Sequence, residues 1–244
     1  MPTHLSVNVN KVATLRNTRT IGIPSVLGAA KICLNAGAAG ITVHPRPDRR
    51  HVRPDDVHEI AELLKQYPGR EFNIEGNPFL EYVHFAESAR PTQCTLVPDS
   101  AEASTSDHGW DVWREQARLG PMIERLKGLG CRVSLFMDAD SLDFELAKKL
   151  GADRIELYTA SYAEEFARGK PDAAKPFALA ARRAADAGLG VNAGHDLNLL
   201  NLPPFLKAVP NVLEVSIGHA LIADALEFGL AETVRKYLAA IGQA

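Results

Sequence analysis

The chain has 244 residues, 46% hydrophobic and 23% charged, which is enough to bury the core of one α/β barrel or two small domains. Its formal net charge of −3, with no long basic run, argues against nucleic acid or an anionic membrane surface as the main partner. No apolar run approaches the ~18 residues needed to span a bilayer, and the N-terminus lacks the basic-then-apolar pattern of a signal peptide.

Leu5 and Val7 alternate with polar neighbours and predict a strand over His4–Asn8. Asn8-Val9-Asn10-Lys11 leaves it, and residues 13–19 carry Arg16 and Arg19 into a loop. Val26, Ala29, Ala30 and Cys33 stand at helical spacing and predict a helix over Ser25–Ala36, terminated by Gly37. Ile41–Val43 is the second strand. It stops at His44-Pro45, because proline has no N–H for the ladder. Asp55 or Asp56 caps a helix through Tyr67, with Val57, Ile60, Ala61 and Leu64 on one face. Phe72–Glu75 is a strand ending at Gly76, and Pro78 starts a helix through about Ala89. Gln93–Val97 is a fourth strand, stopped by Pro98. The small, polar, acidic segment Asp99–Gly109 is a surface loop and a candidate movable cover over a site.

Trp110–Gly130 is helical, and Gly120-Pro121 is expected to divide it in two. Arg132–Met137 is a fifth strand running into Asp138, and Ser141 caps a helix through Leu150. Arg154–Leu157 is a sixth strand, Ser161–Lys175 is polar and irregular, and Pro176–Ala187 is a helix. Gly190–Asn192 is a seventh strand running into Ala193-Gly194-His195. Leu199–Ala208 is a short helix interrupted by Pro203-Pro204, and Val212–Ile217 is an eighth strand followed by Gly218-His219. Helical sequence continues from Ala220, in two pieces separated near Gly229. Cys33, Cys94 and Cys131 are widely spaced in apolar surroundings, the pattern of reduced core thiols in a cytoplasmic protein.

A sub-pattern recurs: a helix ends in Leu/Ala-Gly, a short strand follows, and a polar residue closes it, as in NAGAAGITVH, GLGCRVSLFMD, KLGADRIELYT and DAGLGVNAGH. Strand–helix units of about 30 residues with no two-domain break predict an α/β fold, a single (β/α)8 TIM barrel over residues 1–244 with a few extra helices. A doubly wound open sheet would place a glycine-rich loop after the first strand, where this chain has Asn8-Val9-Asn10-Lys11.

In such a barrel the chemistry lies at the carboxyl ends of the strands. Those ends carry Asn8 or Asn10, His44, Glu75, the loop with Thr105, Asp138, Glu156, His195 and Gly218-His219. Two histidines and several acids at one rim suit acid/base work. Each also has a structural reading: His195 or His219 at a helix start, Glu75 in a salt bridge, Asp138 as a loop and cap residue. Glu156 lies between Ile155 and Leu157, so strand alternation sends it to the face opposite both. The dense positive stretch His44, Arg46, Arg49, Arg50, His51 suits a small anionic substrate or is a solvated basic loop balanced by Asp48, the reading kept for Arg49 and Arg50. Ala193-Gly194 and Gly218 keep the backbone slim where strands seven and eight end, and the helix after Gly218 offers free N–H groups to an anion.

Taken in order, Val7-Asn8 with residues 13–19, Gly40–Arg46 with Asp48–His51, Val191–His195 and Ile217–Ala220 resemble the pyridoxine 5′-phosphate synthase family over nearly the whole chain. The resemblance implies condensation of 1-deoxy-D-xylulose 5-phosphate with 3-amino-2-oxopropyl phosphate, giving pyridoxine 5′-phosphate, inorganic phosphate and water. It implies His44 and Glu75 as proton acceptors, His195 as proton donor and Glu156 as a transition-state carboxylate. It places Asn8, Arg19, Asp196, Gly218 and His219 at the amino-ketone phosphate, and Asn10, Lys11, Arg46, His51 and Thr105 at the deoxyxylulose phosphate. It implies neither metal nor organic cofactor, and an octamer built from dimers.

Two positions depart from the family pattern: Asn10-Lys11 replaces Asp-His, and Asp196 replaces a glycine after the histidine. The carboxylate of Asp196 has to turn away from a phosphate or repel it, and the residue is also a candidate cap for the next helix. Competing functions are a Schiff-base aldolase using Lys11, a non-catalytic phosphate-metabolite sensor and, more remotely, a zinc hydrolase, for which no local ligand motif exists.

Overall fold

The computed structural model describes residues 2–243 except 80, 101, 102 and 104. Eight strands pair in parallel and in chain order, and the last pairs with the first. They are β1 His4–Asn8, β2 Gly40–Val43, β3 Glu71–Gly76, β4 Gln93–Leu96, β5 Arg132–Met137, β6 Arg154–Tyr158, β7 Gly190–Gly194 and β8 Val212–Ile217. The expected (β/α)8 barrel is therefore present. The surrounding helices are α1 Asn10–Asn17, α2 Val26–Asn35, α3 Pro54–Leu64, α4 Tyr82–Ala89, α5 Val112–Gly128, α6 Phe144–Lys149, α7 Ala160–Ala167, α8 Lys175–Asp186, α9 Leu202–Ala208, α10 His219–Phe228 and α11 Leu230–Ala240.

The two-residue period of each strand separates two environments. Leu5, Val7, Ile41, Val43, Val133, Leu135, Ile155 and Leu157 are fully buried in the apolar core. The alternate positions are mostly polar, Phe136 and the glycines of β7 excepted, and face the barrel interior. Thr95 Oγ1 donates to Asn73 Oδ1 (3.0 Å), Asn73 Nδ2 donates to Thr42 Oγ1 (3.3 Å), and Thr42 meets Ser6 hydroxyl to hydroxyl (2.6 Å). Gln93 of β4 donates across the barrel to Glu214 Oε1 of β8 (3.1 Å). Most barrels fill this space with branched aliphatic side chains. Here the side chains of these pairs satisfy one another, which offsets a desolvation cost of about 1–3 kcal/mol per unpaired group, while Ser134 Oγ and Glu156 Oε2 are left without a partner among the described residues.

Several expected elements differ. Residues 13–19 do not form a loop, because α1 runs from Asn10 to Asn17. It buries Val12 and Ala13, and Arg16 pairs with Asp56 of α3, a partner 40 residues away. Pro121 does not divide α5, since Leu119, Ile123 and Leu126 bury one continuous stripe on both sides of it. The stretch from Ser161 is not wholly irregular: α7 sets Tyr162 against Phe166 (5.8 Å), Phe177 (6.0 Å) and Phe205 (4.9 Å). In α3 neither Asp55 nor Asp56 is the N-cap; Arg53 is, and the Asp56 carboxylate reaches back to accept its N–H (2.7 Å). Ser141 does not cap α6, which starts at Phe144; its hydroxyl accepts from Asp143 N (3.2 Å) in the preceding turn. The prolines 203 and 204 fall in the first turn of α9, where a missing N–H costs little. Gly229, at φ 78, separates α10 from α11 as expected.

Candidate active site

The carboxyl ends of the strands surround a cavity of about 470 Å³. His44 follows β2 directly, and its backbone N–H is fixed by Asn10 Oδ1 (3.0 Å). Asn10 is fixed in turn through its own N–H, which donates to Asn8 Oδ1 (3.0 Å). The His44 ring stands between two acids, with Nδ1 3.8 Å from Glu75 Oε2 and Nε2 4.0 Å from Asp99 Oδ2. Glu75, on β3, accepts from Ser216 Oγ (3.3 Å) across the barrel and from Asn8 Nδ2 (3.4 Å). Glu156 points inward from β6, as strand alternation requires, and its buried Oε2 has no hydrogen-bond partner. His195 leaves β7 with Nε2 3.1 Å from Thr105 Oγ1 and Nδ1 3.0 Å from Asp196 Oδ2.

Burial sets the electrostatics. It pushes Glu75 up to about 8, helped by the nearby acids Asp99 and Glu214, against the opposing Ser216 hydrogen bond. Burial, then the Glu75 and Glu214 charges, holds Glu156 well above the usual carboxylate range. His44 moves the other way, well below an ordinary imidazole, through burial and then the charges of Arg46, His51 and Arg50. His51 falls to about 4 from burial and then from Arg46, Lys11 and Arg50, with Asp48 opposing. At neutral pH the site therefore holds a neutral His44 with a free lone pair beside a Glu75 that carries a proton. That pair can accept one proton and release another.

Thirteen of the fourteen residues singled out from sequence line this cavity: Asn8, Asn10, Lys11, His44, Arg46, His51, Glu75, Thr105, Glu156, His195, Asp196, Gly218 and His219. Arg19 does not; it is exposed beyond the end of α1. Asp196 does not cap α9, whose N-cap is Asn201. Asp138 lies outside the lining, and its carboxylate accepts from Gly109 N (2.9 Å), the loop role weighed from sequence. Within the proposed cover, residues 101, 102 and 104 lie outside the described residues. The described part is anchored: Arg46 Nη1 donates to Ala103 O (2.8 Å), and Ser106 Oγ donates to Asp99 Oδ2 (2.8 Å).

Sequence reasoning missed Asp99 and Ser216, and read Arg50 only as part of a positive loop with no specific role. Asp99 is buried and ion-paired with Arg46. Its signal was present, since Pro98 ends a strand just as Pro45 does beside His44. Ser216 occupies an inward position of β8 that the alternation rule would have found. Arg50 lines the cavity while its guanidinium also holds Asp48 (2.5 Å). Among the described residues no group of three or more His, Cys, Asp or Glu is arranged to hold a metal ion, and no helix is long and apolar enough to cross a membrane.

Known structures with this architecture include a mutant tryptophan synthase alpha-subunit from Pyrococcus furiosus (TM-score 0.66, 13% identity, 98% of each chain). Another is 3-keto-L-gulonate-6-phosphate decarboxylase from Vibrio cholerae (TM-score 0.65, 11% identity, 100% of this chain and 99% of that one). At these identities they share the fold alone. Sequence relatives are far closer. A protein of Albidiferax ferrireducens named pyridoxine 5′-phosphate synthase is 56% identical over 250 residues, covering 100% of this chain and 99% of its own length. Proteins of the same name from Xanthomonas campestris pv. campestris and Xylella fastidiosa are 56% and 55% identical, covering 99% and 97% of this chain and 97% and 94% of their own lengths. The family described as pyridoxal phosphate biosynthesis protein PdxJ matches residues 5–243, and the chain belongs to that family.

Proposed function

We propose that this chain, as a single catalytic barrel over residues 1–244, is a pyridoxine 5′-phosphate synthase of vitamin B6 biosynthesis. It condenses 1-deoxy-D-xylulose 5-phosphate with 3-amino-2-oxopropyl phosphate to pyridoxine 5′-phosphate, inorganic phosphate and water. The observation that carries this reading is the convergence of His44, Glu75, Glu156 and His195 on one cavity that also bears Lys11, Arg46, Arg50 and the N-terminus of α10.

The reaction needs that combination. An amine adds to a ketone and water leaves; a phosphate is eliminated; an aldol-type closure completes the ring. Each step moves protons on carbon, nitrogen or oxygen. Neutral His44 accepts a proton, Glu75 accepts one after releasing its own, His195 donates, and buried Glu156, held towards its protonated form, hydrogen-bonds the group on which charge develops as the imine forms. Arg46 and His51 hold the deoxyxylulose phosphate. Gly218 and the free N–H groups at the start of α10 hold the amino-ketone phosphate with Asn8 and His219. Lys11 is exposed rather than desolvated on a strand, which speaks against a Schiff-base aldolase.

Arg19 lies outside its own chain's cavity, so a role at the amino-ketone phosphate requires a neighbouring copy to supply it, in keeping with a cytoplasmic octamer built from dimers. The direct test mixes the two phosphorylated substrates with the protein in metal-free buffer and follows the pyridine absorbance of the product. Absence of ring formation would overturn the reading, and formation only on adding metal would overturn the cofactor-free mechanism.

A further inference from the structure

Asp196 is poorly suited to an anion site, since a carboxylate repels a phosphate. Its side chain is turned onto the catalytic ring instead. Oδ2 lies 3.0 Å from His195 Nδ1, while the other ring nitrogen, Nε2, faces Thr105 Oγ1 at 3.1 Å. The ring of Tyr158 meets His195 nearly edge-on, with centroids 5.0 Å apart and planes at 76°.

The backbone presenting this pair is unusual. His195 and Asp196 both take the left-handed region, at φ 89 and φ 59. Such conformations persist where the surroundings over-determine them, and they cluster at functional sites. The surroundings here do so. Thr159 Oγ1 donates to Gly194 O (2.8 Å) and His195 O (2.5 Å), and Asn201 Nδ2 donates to Asp196 O (3.0 Å).

We propose that Asp196 is a positioning residue for His195: it holds the ring in one rotamer and one tautomer, Nδ1–H, so that Nε2 alone exchanges a proton with substrate. The role rests on the reading of His195 as an acid/base group. An ionised carboxylate can only accept a hydrogen bond, so the ring nitrogen facing it must carry the proton. The His195 hydrogen bond, and then the charges of His195, His219 and Lys11, hold the Asp196 carboxyl below its usual range. His219 faces it from α10 and Lys11 from α1. The same logic orients histidine bases in hydrolase triads.

The test uses the full chain with ¹⁵N-labelled histidine, with the His195 ring signals assigned by their loss in His195→Gln. Asp196→Gly removes the acceptor and tolerates the left-handed backbone; Asp196→Asn keeps a neutral acceptor in the same place. The wild-type neutral ring is expected as Nδ1–H, and Asp196→Gly is expected to lose that preference. With 1-deoxy-D-xylulose 5-phosphate and 3-amino-2-oxopropyl phosphate, kcat of Asp196→Gly should fall by about tenfold, with KM for each changing by less than about twofold. Asp196→Asn should keep the tautomer and most of kcat. An Nε2–H wild-type ring, an unchanged tautomer in Asp196→Gly, or a rise in KM with unchanged kcat would each overturn the proposal. A wild-type protein that forms no ring would overturn the functional reading instead, and the NMR tautomer would still decide the Asp196–His195 assignment.

Discussion

Glu156 Oε1 stands where a side chain at residue 194 would begin: a β-carbon built on Gly194 falls 2.2 Å from it. Gly194 ends β7 in register with Tyr158, two residues beyond Glu156 on β6, so the missing side chain makes room for the buried Glu156 carboxyl group at the cavity floor. The obstruction is the far end of a flexible side chain, so an added methyl displaces the carboxylate rather than the sheet. Gly194→Ala is therefore expected to lower kcat at least tenfold while Tm changes by only a few degrees. A full-rate Gly194→Ala enzyme would remove Glu156 from the reaction.

Glu75 links activity to stability. Its folded pKa, about 8, lies above the ordinary 4.5, so the folded chain keeps a proton that the unfolded chain releases. This contribution to stability is complete below pH 4.5 and is lost as pH rises through about 8. Glu75→Gln keeps the shape without the titration. Its Tm relative to wild type should rise across that window, by an amount corresponding to a few kcal/mol at the alkaline end, on the order of the linkage expected for a buried acid. Its rate should fall by about a hundredfold or more, as for loss of a group that releases and takes back a proton. A Tm difference that stays flat with pH would show that Glu75 is not held protonated.

His51 acts in the opposite direction. Its folded pKa is about 4 against an ordinary 6.5, so the unfolded chain binds the proton first. Its stabilisation is present above pH 6.5 and is lost as pH falls towards 4. The buried Nδ1 has no hydrogen-bond partner among the described residues, and the side chain lines the cavity, so a substrate oxygen is its natural partner. His51→Gln should gain Tm relative to wild type as the pH is lowered from 6.5 to 4. It should also raise KM for 1-deoxy-D-xylulose 5-phosphate several-fold. A KM change confined to the amino-ketone would assign His51 to the other subsite.

The barrel was legible because glycine and proline punctuate the chain at strand ends, and because Ile41, Val43, Ile155 and Leu157 mark one face of short strands. The polar interior was harder to read. Ser6, Thr42, Asn73 and Asn192 alternate with apolar residues, a pattern that ordinarily describes a strand with one solvated face. Their partners come from neighbouring or opposite strands, as Asn192 does when it donates to Gln93 Oε1 (3.3 Å). The helix α1 escaped notice for the same reason. The Arg16–Asp56 pair that holds it joins residues 40 apart, and Arg16 Nη2 also donates to His51 O (3.3 Å). At the site, His44, Glu75, Glu156 and His195 were visible as strand ends, whereas the burial of Asp99 depends on Arg46, 53 residues earlier.

That last pair also joins the catalytic loop to the cover. Asp99 accepts from Arg46 and from Ser106 Oγ (2.8 Å), its backbone carbonyl accepts from Asn77 Nδ2 (2.9 Å), and Arg46 reaches on to Ala103 O (2.8 Å). Both side chains are almost wholly buried, so Asp99 neutralises an arginine that would otherwise face the cavity as a bare cation. Asp99→Asn keeps the shape and removes the charge. Breaking one side of a buried pair typically costs about 3 kcal/mol, which for a chain of this size lowers Tm by roughly 5–10 °C. The same change leaves Arg46 with more positive field for an anion, so inorganic phosphate should inhibit the variant more strongly than wild type. The two readouts separate the roles of Asp99. A Tm loss with unchanged phosphate inhibition would make the pair purely structural. Stronger inhibition, abolished again in the Arg46→Met/Asp99→Asn double variant, would place the phosphate on Arg46.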